Sequence, residues 1–430
     1  MTAGKDPAAV AVAVVELTAD GRFAEVEKLF APRLLAAASA ETLRIGWETE
    51  LAKIGPVAAL GDPVAQPVEE GLVRVSVPVT CERGGLTVAM SVGEDGRLHG
   101  LRLAPPANSS WEPPDYAKPR RFTEEEITVG DSPLAVPGTM TLPRKGGRRP
   151  GIVLLASGPS DRDVTTGPNK PFKDLAWGLA SRGVAVLRFD KLTYVHPAAG
   201  SESGFTMVDE YVPHALAAVR LLQRHPQVDP ARVFVLGLSG GGKATTRVAA
   251  ADASIAGMVS LAGDTAPLPR AAVRIARYLA ELDPGPHTAA ALDAITAQAA
   301  LVESPDLSPS TPAAELLFGW PASYWLDLRS FDPVATAAGL DKPILVLQGG
   351  RDYQVTVADD LVRWRAGLAG RPDVTIRVFD ADDHLFFRGG GPSTPAGYEA
   401  RQHVDPAVVA AIARWLGGGR SLVRRLVSGR

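Results

Sequence analysis

Cysteine is almost missing from this chain: Cys81 stands alone among 430 residues. A single thiol excludes an intramolecular disulfide, and its place in a strand-like run marks a small buried hydrophobe, not a nucleophile. A reducing compartment is expected. Charge of one sign is also lacking, with a formal net charge of −3 that offers no basic excess for nucleic acid. Uninterrupted apolar runs of the roughly eighteen residues a membrane span needs are missing too. The stretch Ala8 to Val15 has no basic segment before it and is followed by Glu16 and Asp20, so it reads as a first helix and not as a signal peptide. The expected location is cytoplasmic. The seven histidines are scattered and no cysteine pair exists, so neither a metal site nor a cofactor is expected.

What is present is the composition of a soluble globular protein, 46% hydrophobic and 22% charged. The length suggests two or three domains. Helical spacing of apolar residues runs over Ala8 to Leu17, Arg22 to Phe30 and Glu41 to Ile54. Strand patterns follow over Gly71 to Glu82, Leu86 to Val92 and Leu98 to Leu103, with turns at Arg83-Gly84-Gly85 and Glu94-Asp95-Gly96. Helices first and then an antiparallel meander predict a small α+β cone over residues 1–105. A proline-rich linker, 106–119, comes next.

From Glu125 onward short apolar strands alternate with amphipathic helices. The strands are Ile152 to Ala156, Val184 to Phe189, Val233 to Leu236, Ile255 to Leu261, Ile344 to Leu347 and Val374 to Phe379. Near-continuous apolar runs of this kind suit parallel strands covered on both faces, so residues 120–417 are expected to form a doubly wound, mostly parallel α/β sheet. Between Leu261 and Ile344 lies an alanine- and leucine-rich insertion, 264–340, read as a helical cap. The tail, 418–430, holds four arginines and two Leu-Val pairs and reads as a solvated end without function.

The strongest local chemistry is Gly237-Leu238-Ser239-Gly240-Gly241, with an apolar strand before it and a helix after it. A serine on so tight a strand-to-helix turn needs small neighbours two positions either side, and the helix N-terminus favours developing negative charge. A phosphate loop is the competing reading, but GLSGGGK lacks the first glycine of that spacing and has no Ser or Thr after Lys243. Ser239 is the candidate nucleophile.

A serine hydroxyl needs a base, and the base needs an orienting acid. His99 lies in the front domain, His214 and His225 on the helix before the nucleophile strand, His287 in the cap and His403 before the final helix. His384 follows the last strand by a short loop, where it can reach over the carboxyl ends of a parallel sheet. Asp352, after Ile344 to Gly350, is the candidate acid, and the order Ser239, Asp352, His384 is the one such a sheet requires. Asp382 and Asp383 are spare acids able to perturb the histidine. The oxyanion hole is expected from the amide of Gly240 and one from the loop after Ala156, where Ser157, Gly158 or Ser160 can donate and Pro159 cannot.

The runs LLASGPSDRD (154–163), GPNKPFKDLAWGLASRGVAVLRFDK (167–191), GLSGG, GGRDYQV and DHLFF followed by GPSTPAGY together resemble a bacterial α/β-hydrolase family of esterases related to dipeptidyl-aminopeptidase-like enzymes. The resemblance spans most of 120–417 and implies an esterase-type serine hydrolase with Ser239, Asp352 and His384 in its motifs. It also implies a nuclear-transport-factor-like front domain, with Trp47 and the meander in the expected places. The chain departs from that family at Leu238, where histidine is usual, and at Leu192 to Pro197, where Arg-Gly is usual.

The expected reaction is hydrolysis of a carboxylic ester or thioester of a small-molecule acyl substrate through an acyl-enzyme. Leu238, Tyr194, His196, Trp320, Tyr324 and Trp325 are the candidate pocket residues; the last three can equally be cap core. Acyl transfer or cyclisation by the same serine is one alternative, and a non-catalytic binding or scaffold protein is another. Peptidase activity ranks lower, for want of a preceding β-propeller or an acidic pair to hold a free amino terminus. Neither nucleic acid nor membrane is an expected partner, and a homo-oligomer is compatible with the sequence.

Overall fold

The computed structural model describes residues 6–67, 71–104, 111–144 and 146–427. The chain divides into two compact units, Met1–Trp111 with Glu399–Arg401, and Glu112–Tyr398 with Gln402–Arg430.

The first unit begins with helices α1 (Pro7–Ala19), α2 (Phe23–Glu27), α3 (Pro32–Ala37) and α4 (Ala40–Ile54). Asp6 caps α1 by accepting from the Ala8 amide, and Ser39 caps α4 by accepting from Thr42. Strands β1 (Val57–Leu60), β2 (Val64–Pro67), β3 (Leu72–Cys81), β4 (Gly84–Gly93) and β5 (Leu98–Ala104) follow, all antiparallel, with β3 paired to β1, β2 and β4, and β4 to β5. The β3–β4 turn is Glu82-Arg83, one residue earlier than expected, because Gly84 pairs with Cys81 and already belongs to the strand. Strands β1 and β2 escape a pattern search since four residues are too few to show alternation. Val75, Val77, Val79, Val88 and Met90 pack against Val14, Val15 and the fully buried Trp47. Cys81 is buried, which raises its thiol pKa, in keeping with a packing role.

Of the linker, residues 105–110 lie outside the described residues; 111–118 are irregular, and a 3₁₀ turn at Pro119–Arg121 leads into the sheet.

The second unit is an eight-stranded sheet: β6 (Phe122–Val129), β7 (Val136–Pro143), β8 (Arg149–Leu155), β9 (Ala185–Phe189), β10 (Val228–Leu238), β11 (Met258–Leu261), β12 (Ile344–Gly349) and β13 (Val374–Phe379). Its order is β13-β12-β11-β10-β8-β9-β7-β6, parallel from β13 to β9 and antiparallel at β7 and β6. The β6–β7 hairpin is absent from the pattern reading because β6 carries Glu124-Glu125-Glu126 and β7 carries Pro137, Gly138 and Pro143, all strand-averse. Tertiary contacts compensate: Arg188 holds Glu124 at 2.8 Å, and Thr139 donates to Glu126.

Helices α5 (Pro171–Ala180) and α14 (Pro406–Val427) cover one face of the sheet; α7 (Met207–Arg224), α8 (Gly240–Ala251), α12 (Pro333–Ala338) and α13 (Val362–Gly367) cover the other, and the short α6 (Leu192–Val195) follows β9. The insertion after β11 forms α9 (Leu268–Leu282), α10 (Pro286–Glu303), α11 (Ala322–Ser330) and α12. Val302, Leu316, Leu317 and Trp325 give it a core of its own, whereas Val334, Ala337 and Leu340 join the sheet's core. Helix α14 runs on past residue 417 to Val427, so its backbone has no break where the basic tail begins; residues 428–430 lie outside the described ones. Among the described residues no helix is long and apolar enough to cross a membrane.

Candidate active site

Strand β10 ends at Leu238, and Ser239 turns the chain into α8 with φ 56° and ψ −125°. A non-glycine residue there costs on the order of 1–3 kcal/mol, a strain the surroundings must impose. They do so by crowding. A Cβ on Gly237 would lie 2.0 Å from the Gly241 oxygen, and one on Gly241 would lie 2.1 Å from the Leu155 oxygen. The glycines two before and two after the serine are therefore required by backbone contact. The amide of Gly240 opens α8, where first-turn N–H groups have no partner within the helix. Ser157 sits against this turn, its Oγ 2.9 Å from where a Cβ on Gly240 would be. The Ser157–Ser160 loop is braced by the Ser160 hydroxyl donating to the Ser157 carbonyl and by the Lys191 amide donating to Ser160, while Gly158 has φ 58°.

Asp352 follows β12 and is 6% exposed. Its Oδ1 accepts from the amides of Gln354 and Val355, and its Oδ2 accepts from Gln348 Nε2 at 3.2 Å and lies 2.8 Å from His384 Nδ1. A neutral imidazole donating from Nδ1 keeps a lone pair on Nε2. The loop bearing His384 is fixed from both sides. Asp383 Oδ1 accepts from the amides of Leu385 and Phe387, and Arg351 donates to the Ala381 and Gly391 carbonyls. A Cβ on Gly349 would lie 2.3 Å from the Asp383 oxygen, so the glycines before Arg351 let this loop approach. Burial by itself lowers the His384 pKa, but the charge and hydrogen bond of Asp352 prevail, helped by Asp383 and Asp264, and the net shift is upward. Ser239 Oγ makes no hydrogen bond among the described residues; catalytic contacts are often open before substrate binds.

Beside the elbow lies a buried polar cluster that pattern reading missed. Lys191 Nζ contacts Glu210 Oε1 at 2.9 Å and donates to the Tyr211 hydroxyl at 2.8 Å; Thr193 also donates to Glu210, and the Tyr324 hydroxyl donates to Glu210 Oε2. Burial lowers the Lys191 pKa against the opposing pull of Glu210, and raises both tyrosines well above their usual value. Lys243, four residues after Ser239, is ion-paired with Asp264. The available signal was weak: Glu210 on the apolar face of an amphipathic helix and a lysine inside a glycine-rich turn.

The candidate pocket residues are not all brought together. Trp320 lies 4.8 Å from Tyr324 and 5.3 Å from Trp325 by ring centroids. Trp325, however, is 0% exposed within the cap's core and offers no surface to a ligand. Leu238 is likewise no pocket residue: period-two alternation along β10 turns it with Phe234 and Leu236 toward the α5 and α14 face, away from α8. Tyr194 is largely exposed, and His196 Nε2 contacts the Ala135 carbonyl at 3.0 Å. Among the described residues no group of three or more His, Cys, Asp or Glu could hold a metal.

Asp382 is 1% exposed. Burial, then the charge and hydrogen bond of Asp405, then Asp383, push its carboxyl up to about 7 against the pull of Arg388. With the folded-state value above the unfolded one of about 3.9, the native protein binds the extra proton, and stability falls as pH rises from about 4 to about 7. Asp382→Asn, which still offers Asp405 a donor, is expected to flatten that decline and to stabilise the fold at pH 8. Urea midpoints at pH 5 and pH 8 check this; a decline as steep as that of the natural protein would contradict it.

An eight-stranded sheet in this order, a serine on a left-handed strand-to-helix turn and an Asp–His pair beyond the carboxyl ends of neighbouring strands define an α/β-hydrolase. No family model matches the chain. It is 37% identical over 336 residues to esterase EstD of Thermotoga maritima, covering 78% of this chain and 77% of that one. The chain belongs to the family of EstD-type esterases. Solved structures similar to it include Est1E from Butyrivibrio proteoclasticus (14% identity, 70% of this chain, 99% of that one, TM-score 0.45). Another is the Pyrococcus furiosus esterase Pf2001 (16% identity, 71% of this chain, 98% of that one, TM-score 0.44).

Proposed function

We propose that this chain cleaves carboxylic esters or thioesters by a double displacement at Ser239. The observation that carries the reading is the 2.8 Å contact of Asp352 with His384 Nδ1, which leaves Nε2 free to act as base. Nε2 takes the Ser239 proton as Oγ attacks the acyl carbon, once substrate brings the two within hydrogen-bond reach. The oxyanion that forms accepts from the Gly240 amide and from one amide of Ser157, Gly158 or Ser160; each such donor contributes roughly 3–4 kcal/mol to the transition state. His384 returns the proton to the departing alcohol or thiol. Water, deprotonated by the same nitrogen, then releases the acid and restores Ser239. Trp320, packed edge-on against the buried Tyr324, forms the apolar side of the acyl site. The helical and antiparallel first unit supports a nuclear-transport-factor-like assignment, and the lone buried thiol a cytoplasmic one.

The test is turnover of a short p-nitrophenyl ester together with fluorophosphonate labelling. The expected result is saturable hydrolysis and one phosphonyl adduct, found by mass spectrometry on the peptide containing Ser239. A folded protein that neither hydrolyses nor labels would overturn the proposal.

A further inference from the structure

Ser239, Asp352 and His384 follow the carboxyl ends of β10, β12 and β13. At the opposite edge of the same sheet the chain gathers arginine. A cavity of about 580 Å³ is lined by Arg120, Arg121, Arg144, Arg149 and Arg182. A neighbouring hollow of about 200 Å³ shares Arg149 and Arg182 and adds Arg148 and Arg232. The topology explains the convergence. Arg120 and Arg121 precede β6, Arg144 follows the antiparallel β7, Arg148 precedes and Arg149 opens β8, Arg182 precedes β9, and the register of β10 on β8 brings Arg232 to the same end.

Among the described residues Arg120, Arg144 and Arg148 make no ion pair, and Arg121 and Arg182 donate to the neutral carbonyls of Ser181 and Gly178, at 3.4 and 2.8 Å. Several of the forks are held in place. The Arg182 guanidinium lies over the Tyr116 ring, 5.8 Å from its centroid. That of Arg149 is packed so closely on Gly146 that a Cβ there would lie 1.7 Å from Nη2. A chain of net charge −3 has no overall basic field, so positive charge concentrated in one hollow is a local feature with its own cause.

We propose that this edge of the sheet is a binding site for a small oligophosphate, separate from the serine centre. Arg120, Arg121, Arg144 and Arg182, none of them ion-paired among the described residues, put four uncompensated guanidiniums around one hollow, and the planar fork of arginine matches phosphate oxygens two at a time. The volume of this open hollow falls in the range of small-molecule sites and accommodates a compact ligand. Inorganic polyphosphate and nucleoside polyphosphates share this chemistry.

Calorimetric titration of the full chain with inorganic tripolyphosphate and with a nucleoside triphosphate, each at 50 and 200 mM salt, tests the site. One ligand per chain is expected, with affinity falling at least tenfold at the higher salt and again at least tenfold in Arg121→Gln/Arg182→Gln. The double variant should keep ester hydrolysis, which reports an intact fold. Arg363→Gln/Arg365→Gln, with the same change in charge elsewhere on the surface, should bind as the natural protein does. Equal binding of the two ligands assigns the site to the phosphate chain alone, and tenfold tighter binding of the nucleotide assigns it to a nucleotide. Absence of saturable binding, several ligands per chain, or equal loss in the control variant would overturn the proposal.

Discussion

Ser239→Ala is expected to lower kcat for ester hydrolysis by roughly five orders of magnitude, close to 7 kcal/mol of transition-state stabilisation. The size follows from the removed step: without Oγ no acyl-enzyme forms, and only binding and the oxyanion donors remain to assist attack by water. The fold should be unaffected. The left-handed turn is imposed by the close approach of Gly237 and Gly241 to backbone atoms, and alanine is no less tolerant of that φ than serine. Single-turnover kinetics and thermal melts, run side by side, check both halves. Activity within tenfold of the natural enzyme would place the nucleophile elsewhere.

Asp352→Asn should cost about four orders of magnitude in kcat with little loss of structure. Oδ1 can still accept from the Gln354 and Val355 amides, so the turn after β12 persists. At the other atom an NH₂ replaces an acceptor, and it can only donate to His384 Nδ1. The ring then carries its proton on Nε2, the nitrogen that has to receive one from serine. The pH profile supplies a second readout. His384 must be neutral to act, so kcat/KM rises with pH through its pKa, and in the natural protein that acid limb should lie above the ordinary histidine value of about 6.5. Removing the Asp352 charge leaves burial as the stronger influence and should move the limb to lower pH. A variant whose limb stays in place would show that Asp352 does not set the histidine's proton affinity.

Much of the second unit was legible because it is locally encoded. Six of its eight strands show in the sequence, most of them as near-continuous apolar runs, and the strand, serine turn and helix around Ser239 lie within a single stretch of chain. The β6–β7 hairpin was not, since its glutamates are satisfied by Arg188, Arg162 and Thr139, partners 13 to 64 residues away. Pocket assignment by residue type failed for Trp325 and Leu238 for a related reason: an aromatic or aliphatic side chain looks the same in a sequence whether it faces a cavity or a core.

The boundary runs between interactions of short and long reach. The sequence alone determined what period, chain reversal and glycine spacing control: the alternation of strands and helices and a serine where only a tight turn fits. The tertiary structure alone decided which charges meet. Asp382 and Asp383 stand beside His384 in the chain, yet Asp352, thirty-two positions away, holds its Nδ1, because the carboxyl ends of β12 and β13 are hydrogen-bonded neighbours. The polar cluster of Lys191, Glu210 and Tyr324 and the arginines at the far edge likewise come together by strand order, which residue spacing along one chain does not contain.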